Sequence, residues 1–196
     1  MNYDRYIPLI NNYWFRGIPD FDRWFKTSKK YDKEIKTMFY GILKVAELGL
    51  IEHWGNTKDG FMAYIILLDQ FSRQIYRNSK KAYQNDSKSM TFMRTHIMKY
   101  IDQLSAIELM FALMPFQHSE KLQDQYDGIQ VLKELIKCEN NKSELSVLNE
   151  ALKHQKGHYK VIKMFGRFPK RNKYISNRNT TIREQEYIDS NPDVPY

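Results

Sequence analysis

Nothing constrains this chain more than the spacing of its apolar residues. They recur at three-to-five-residue steps almost everywhere and nowhere hold the strict alternation of a half-buried strand. Tyr31, Ile35, Met38, Ile42, Val45 and Leu50 follow one side of a helix over about 31–51. A second helix is predicted from Thr57, a suitable N-cap with Asp59 in the first turn, and carries Tyr64, Leu67, Leu68, Phe71 and Ile75 on one face. A third is expected over about 82–102, and a short one from Ser105 stops where Pro115 forbids continuation. Ser119 is the candidate cap of the next, whose Leu122, Tyr126, Ile129, Leu132 and Ile136 form an apolar stripe, and Ser143 that of a helix lasting to Phe165. Thr181 and Glu184 have the form of a capping box opening a terminal helix. The expected class is therefore all-α, with about seven helices on short linkers, which favours antiparallel pairs in a bundle or a curved repeat array.

At 196 residues the chain suits one domain, expected over 1–190 with a loose tail at 191–196. Its 42% hydrophobic content is far from the signature of disorder, so a packed core is expected. Cys138 is the only cysteine, which rules out an internal disulfide and points to a reducing, cytoplasmic setting. Residues 1–15 alternate charged and aromatic types without the pattern of an export signal. The longest apolar segments, at 64–68 and 109–116, fall far short of the ~20 residues that span a bilayer, so no membrane role is expected.

The formal net charge is +8, but its placement matters more than its sum. Residues 151–183 hold ten basic side chains and no Asp or Glu, leaving the rest of the chain slightly acidic. The lysine-rich usage of an AT-rich genome, which the abundance of Ile, Asn, Lys and Tyr would support, is an alternative source of the lysines. It does not account for the missing acids.

There is no glycine-rich phosphate loop, no CxxC pair, no HExxH and no GxSxG, which argues against a standard nucleotidase, protease or zinc site; no metal or cofactor is expected. Three segments stand out instead. Asp69, Arg73 and Arg77 fall at successive four-residue steps and would line one helical strip. In the turn around Pro115, His118 and Glu120 would lie close to a helix N-terminus, where free N–H groups favour an anion and a histidine can serve as acid or base. In the third, Lys153, Lys156, Lys160, Lys163 and Arg167 gather into a positive stripe about 80° wide, while His158 lies on the core side with Ile162 and Phe165.

Taken together, these strings resemble the bacterial DUF924 family of unknown function along essentially the whole chain. The resemblance rests on Leu-Asp-Gln-Phe-x-Arg at 68–73, Pro-Phe-x-His-Ser-Glu at 115–120, and His158 leading into Phe-Gly-Arg-Phe-Pro at 165–169. It is supported by Trp14-Phe15, Arg23-Trp24-Phe25, Tyr31-Asp32, Glu34-Ile35, Gly49-Leu50 and Trp54. It implies helix pairs in a superhelical array similar to tetratricopeptide-repeat (TPR) proteins, and no established activity. The chain departs from the family at Lys170, where a histidine is usual, at Gln74, where asparagine is usual, and by lacking a glycine before Arg178.

Packing alone asks for apolar side chains of the right volume rather than for so many polar ones. The leading expectation is that Asp69, Arg73, Arg77, His118, Glu120, His158, Arg167, Arg171, Asn172 and Arg178 converge on a concave pocket for a small phosphate- or carboxylate-bearing ligand. His118 and Glu120 are the candidate catalytic pair should the site turn a substrate over. The first alternative is a TPR-like scaffold that grips a protein segment, its arginines buried and mutually paired. The second is RNA binding through Lys153, Lys156, Lys160, Lys163 and Arg167.

Overall fold

A computed structural model describes residues 2–17 and 21–192. The architecture is all-α, with no strand among the described residues. In chain order the α-helices are α1 (Tyr6–Phe15), α2 (Phe21–Phe25), α3 (Lys29–Glu47), α4 (Lys58–Ile65), α5 (Ser72–Ile75), α6 (Asp86–His96), α7 (Ala106–Ala112), α8 (Met114–His118), α9 (Leu122–Cys138), α10 (Lys142–Phe165) and α11 (Ile182–Ser190). They gather into two compact units, one of Met1–Arg77 with Lys81–Leu104, the other of Asn78–Lys80 with Ser105–Tyr196. Of the expected tail at 191–196, residues 193–196 lie outside the described residues.

In the first unit, the Ser28 side chain accepts from the Tyr31 N–H to open α3. The helix closes before the expected end because Gly49 takes φ 78°, a left-handed geometry open to glycine, and Leu48 and Leu50 turn out to solvent. Thr57 caps α4 by accepting from the Gly60 N–H. That helix then widens into a π-helical stretch, Ile66–Phe71, before resuming as α5. The stretch is buried on all sides, and its Phe71 stacks on Phe39 at 4.7 Å and meets Trp14 edge-on at 5.6 Å. A second aromatic group forms where Tyr64 lies 4.1 Å from Phe92 and Phe61 packs on Tyr100. The helix expected over 82–102 is broken into Lys80–Tyr83, α6, Ile97–Lys99 and Ile101–Gln103, all but α6 being 3-10 turns.

In the second unit, Ser105 and Glu108 form a reciprocal capping box that starts α7. The chain breaks at Leu113, and Pro115 falls in the first turn of α8, where its missing N–H removes no helical bond. Ser119 does not cap α9. Lys121 holds that position, and the Ser119 hydroxyl donates instead to Asp124 in the first turn. Asn141, two residues before the expected Ser143, caps α10 by accepting from the Ser143 and Glu144 N–H groups. Only Glu139, Asn140 and Asn141 separate α9 from α10, which fold back on each other as an antiparallel pair. Close approach demands Gly128 in α9, since a Cβ there would stand 2.7 Å from the Phe116 Cβ and 2.9 Å from the Gln155 carboxamide. Val161, Ile162 and Phe168 form a small core on the far end of α10, flanked by Phe165 and Tyr187.

Candidate functional site

A helix leaves its last carbonyls without intrahelical donors, and α8 is so short that this problem dominates its design. The Gln117 carbonyl accepts from the Gln125 side-chain amide of α9 at 2.7 Å and from His158 Nδ1 of α10 at 2.8 Å. The His118 carbonyl accepts from Arg171 Nη2 at 3.0 Å, and the Ser119 carbonyl accepts from Gln125 at 2.8 Å. Gln155 of α10 in turn donates to Gln125 at 2.7 Å. Each of these partners is buried, so the end of α8 is bound by side chains from three other segments rather than by water.

Because a carbonyl only accepts, His158 carries its proton on Nδ1. Burial pushes its pKa down to about 3, with help from His118, Arg171 and His154, while the bond to Gln117 opposes the shift. His158 is therefore neutral at physiological pH. Its ring meets Phe168 edge-on at 5.5 Å and lies 6.4 Å from the His118 ring. The Arg171 guanidinium covers the other aromatic surface, 4.4 Å from the Phe168 centroid.

Glu120 follows directly in the α8–α9 turn. Its Oε1 accepts from the Phe168 N–H at 2.9 Å and from Arg178 Nη1 at 2.9 Å, and its Oε2 accepts from Arg178 Nη2 at 2.6 Å. Burial raises this carboxyl, but Arg178, the Phe168 N–H and Arg171 outweigh it and hold the group below its ordinary value. A second two-pronged pair lies alongside. Arg167 Nε and Nη2 donate to Glu184 at 2.7 and 2.9 Å, and Nη2 also donates to the Asn179 carbonyl at 2.8 Å. Glu184 is also the acceptor in the α11 capping box with Thr181. Asn172, buried beside it, donates to the Thr180 hydroxyl and helps hold the Glu184 charge. Lys170 donates to the carbonyls of Asn191 and Pro192, just after α11.

Of the residues singled out from sequence, the structure thus brings His118, Glu120, His158, Arg167, Arg171, Asn172 and Arg178 into one network in the second unit. Asp69, Arg73 and Arg77 belong to the first. There the π-helical stretch carries Asp69 fully into the interior, where Gln70 donates to it. Arg73 donates to Asp86 at 2.8 Å, and the Asp69 charge also acts on it. Arg77 grips both oxygens of Asp32, at 2.6 and 2.7 Å. The partners Asp32, Asp86, Gln117, Gln125, Gln155 and Glu184 were not anticipated as a group. Glu184 carried a signal through its capping box, and Asp32 through the Tyr31-Asp32 string of the family resemblance.

The lysine stripe divides. Lys153, Lys156, Lys160 and Lys163 are exposed along α10, with Lys153 paired to Glu150 at 3.1 Å, but Arg167 is turned off the stripe by Glu184. Among the described residues, no group of His, Cys, Asp and Glu side chains is arranged to hold a metal ion. No helix among them is long and apolar enough to cross a membrane, and Cys138 is exposed.

Residues 10–192 match the family described as bacterial protein of unknown function, DUF924. A solved structure of a protein of unknown function from Agrobacterium tumefaciens is similar, with a TM-score of 0.83 at 25% identity over 96% of this chain and 99% of that one. No curated protein matches. A match over residues 10–192, nearly the whole length, makes the chain a member of the bacterial DUF924 family.

Proposed function

We propose that this protein is a helical binding scaffold, in which helix pairs of the TPR-like kind present a surface to a protein segment and the polar strings hold the helices in place. The observation that carries this reading is the pairing of the arginines. Arg178 with Glu120, Arg167 with Glu184 and Arg77 with Asp32 are each two-pronged, and Arg73 meets Asp86. A small anion entering among them would have to displace a carboxylate already in the preferred geometry, exchanging one charge-assisted pair for another with little gain. The network serves instead to satisfy α8 and to fasten residues 167–192, which supports a structural role for His118, Glu120 and His158. The antiparallel α9 and α10 pair is the unit such arrays repeat.

The test has two arms. Melting curves are recorded with inorganic phosphate, nucleotides and small carboxylates, and a display library of unstructured peptides is selected on the folded chain. The scaffold reading expects no anion-specific rise in melting temperature, and peptides that bind with Kd of about 1–100 μM. A phosphate or carboxylate compound that raises the melting temperature of the wild type but not of Arg178→Gln would replace it with an anion pocket.

A further inference from the structure

Where the second unit meets solvent, one face combines three features that the network around α8 does not use. Leu122 and Tyr126, one turn apart at the start of α9, are 44% and 48% exposed although both are large and apolar. With Gln123 and with Tyr159 of α10 they line an open depression of about 390 Å³. Beside it runs the basic face of α10. Lys163 sets its ammonium 5.9 Å from the Tyr159 ring, and Lys156 and Lys160 are exposed on the neighbouring turns without an ion pair among the described residues. By the helical angle these three lysines lie about 40–100° round α10 from Tyr159, on its solvent side. The arginines that could grip phosphates with two prongs, Arg167 and Arg178, are engaged by Glu184 and Glu120. Lysine supplies the positive charge left on this face, a set of point charges that suits carboxylates scattered along a chain, while Asp127 stands at its α9 edge and accepts from Gln123 at 2.7 Å.

We propose that this face is the docking surface of the scaffold, and that its occupant is an acidic, unstructured protein segment carrying one large apolar side chain. The apolar side chain seats among Leu122, Tyr126 and Tyr159, and flanking Asp or Glu residues meet Lys156, Lys160 and Lys163. Charge complementarity selects an acidic partner: the α10 side of the face carries Lys156, Lys160 and Lys163, and residues 151–183 contain no Asp or Glu to offset them. The depression is open and shallow, which fits an anchoring side chain better than an enclosed small molecule. The inference rests on the scaffold reading and adds where the segment binds and what chemistry it has.

The peptides selected on the wild type are measured by fluorescence anisotropy against Tyr126→Ala, Lys160→Glu and the wild type, with a single-stranded RNA 12-mer as a parallel probe. Both substituted residues are exposed, and melting curves check that the fold is kept. The expected result is a selected set rich in Asp and Glu around a Leu, Phe or Trp, with affinity falling roughly tenfold or more in each variant. Peptides whose binding is indifferent to both variants would overturn this face while leaving the scaffold role standing. A library that yields no binder of any class would overturn both. Tighter binding of the RNA, lost in Lys160→Glu, would overturn the acidic segment in favour of nucleic acid.

Discussion

Glu184 offers the sharpest quantitative test of the network. It is almost fully buried, and it accepts from Arg167 twice and from the Thr181 N–H at 2.8 Å. The Arg167 bonds dominate, burial opposes them, and Thr181 and Asn172 add to them; the pKa falls from an ordinary 4.5 to about 2. The folded state therefore holds on to the charge, and its stabilisation is fully present above pH ~4.5 and is lost as the pH falls through ~2. That displacement corresponds to about 3 kcal/mol at neutral pH. Glu184→Gln keeps the shape and still offers one oxygen to Arg167, so we expect a loss of about 2–3 kcal/mol at pH 7. Urea unfolding of both proteins should be followed from pH 7 to pH 2.5, with hydrogen exchange of the α11 amides to show whether the loss is local. The two curves should converge as the pH drops. A difference below about 0.5 kcal/mol at pH 7, or one that does not shrink on acidification, would refute the account.

Gly128→Ala should destabilise, because the new Cβ meets the Phe116 Cβ and the Gln155 carboxamide at under 3 Å. Overpacking of about 1–3 kcal/mol exceeds the ~1 kcal/mol that alanine gains in helix propensity, and a melting temperature equal to or above wild type would contradict this. His158 should stay neutral with its proton on Nδ1 throughout the physiological range, as nitrogen-detected NMR would show. Since its folded pKa lies below the unfolded value, acidification from about pH 6.5 should cost stability, and His158→Gln should remove that part of the pH dependence. Thr181→Ala removes one half of a capping box and should cost about 1 kcal/mol, read as faster exchange in the first turn of α11.

The helical class and several boundaries were legible because they depend on local chemistry. Thr57, Ser105 with Glu108, and Thr181 with Glu184 cap where hydroxyl and carboxylate side chains can reach the first free N–H groups, and that reach is a matter of sequence spacing. Asn141 and Ser143 show the limit. Both are competent cap types, and in the fold Asn141 takes the position, accepting from the Ser143 and Glu144 N–H groups. The π-helical stretch at Ile66–Phe71 left no mark in the apolar spacing, since every position in it is buried and one more apolar side chain looks the same in either register. Its consequence is large: Asp69 goes fully inside, and Arg73 reaches Asp86 thirteen residues further along the chain.

The polar strings were visible for the same reason that their purpose was hidden. A buried charge needs a partner, so Arg, Glu and His fixed at set spacings announce a network, but the spacing does not say whether the partner is a ligand or the protein itself. What decides is the count of donors against acceptors once the chain is folded. Around α8 the carbonyls of Gln117, His118 and Ser119 and the carboxylates of Glu120 and Glu184 take up donors from Gln125, His158, Arg171, Arg178 and Arg167. Most of those acceptors are backbone or lie far off in sequence, between 6 and 58 residues from their donors, which no motif can display. A short helix ending in the interior needs such a set of side chains if it is to end there at all, and here that need accounts for the histidine, for Arg171 and for the glutamines. The exposed lysines of α10 and Tyr126 of α9 lie outside this set of bonds.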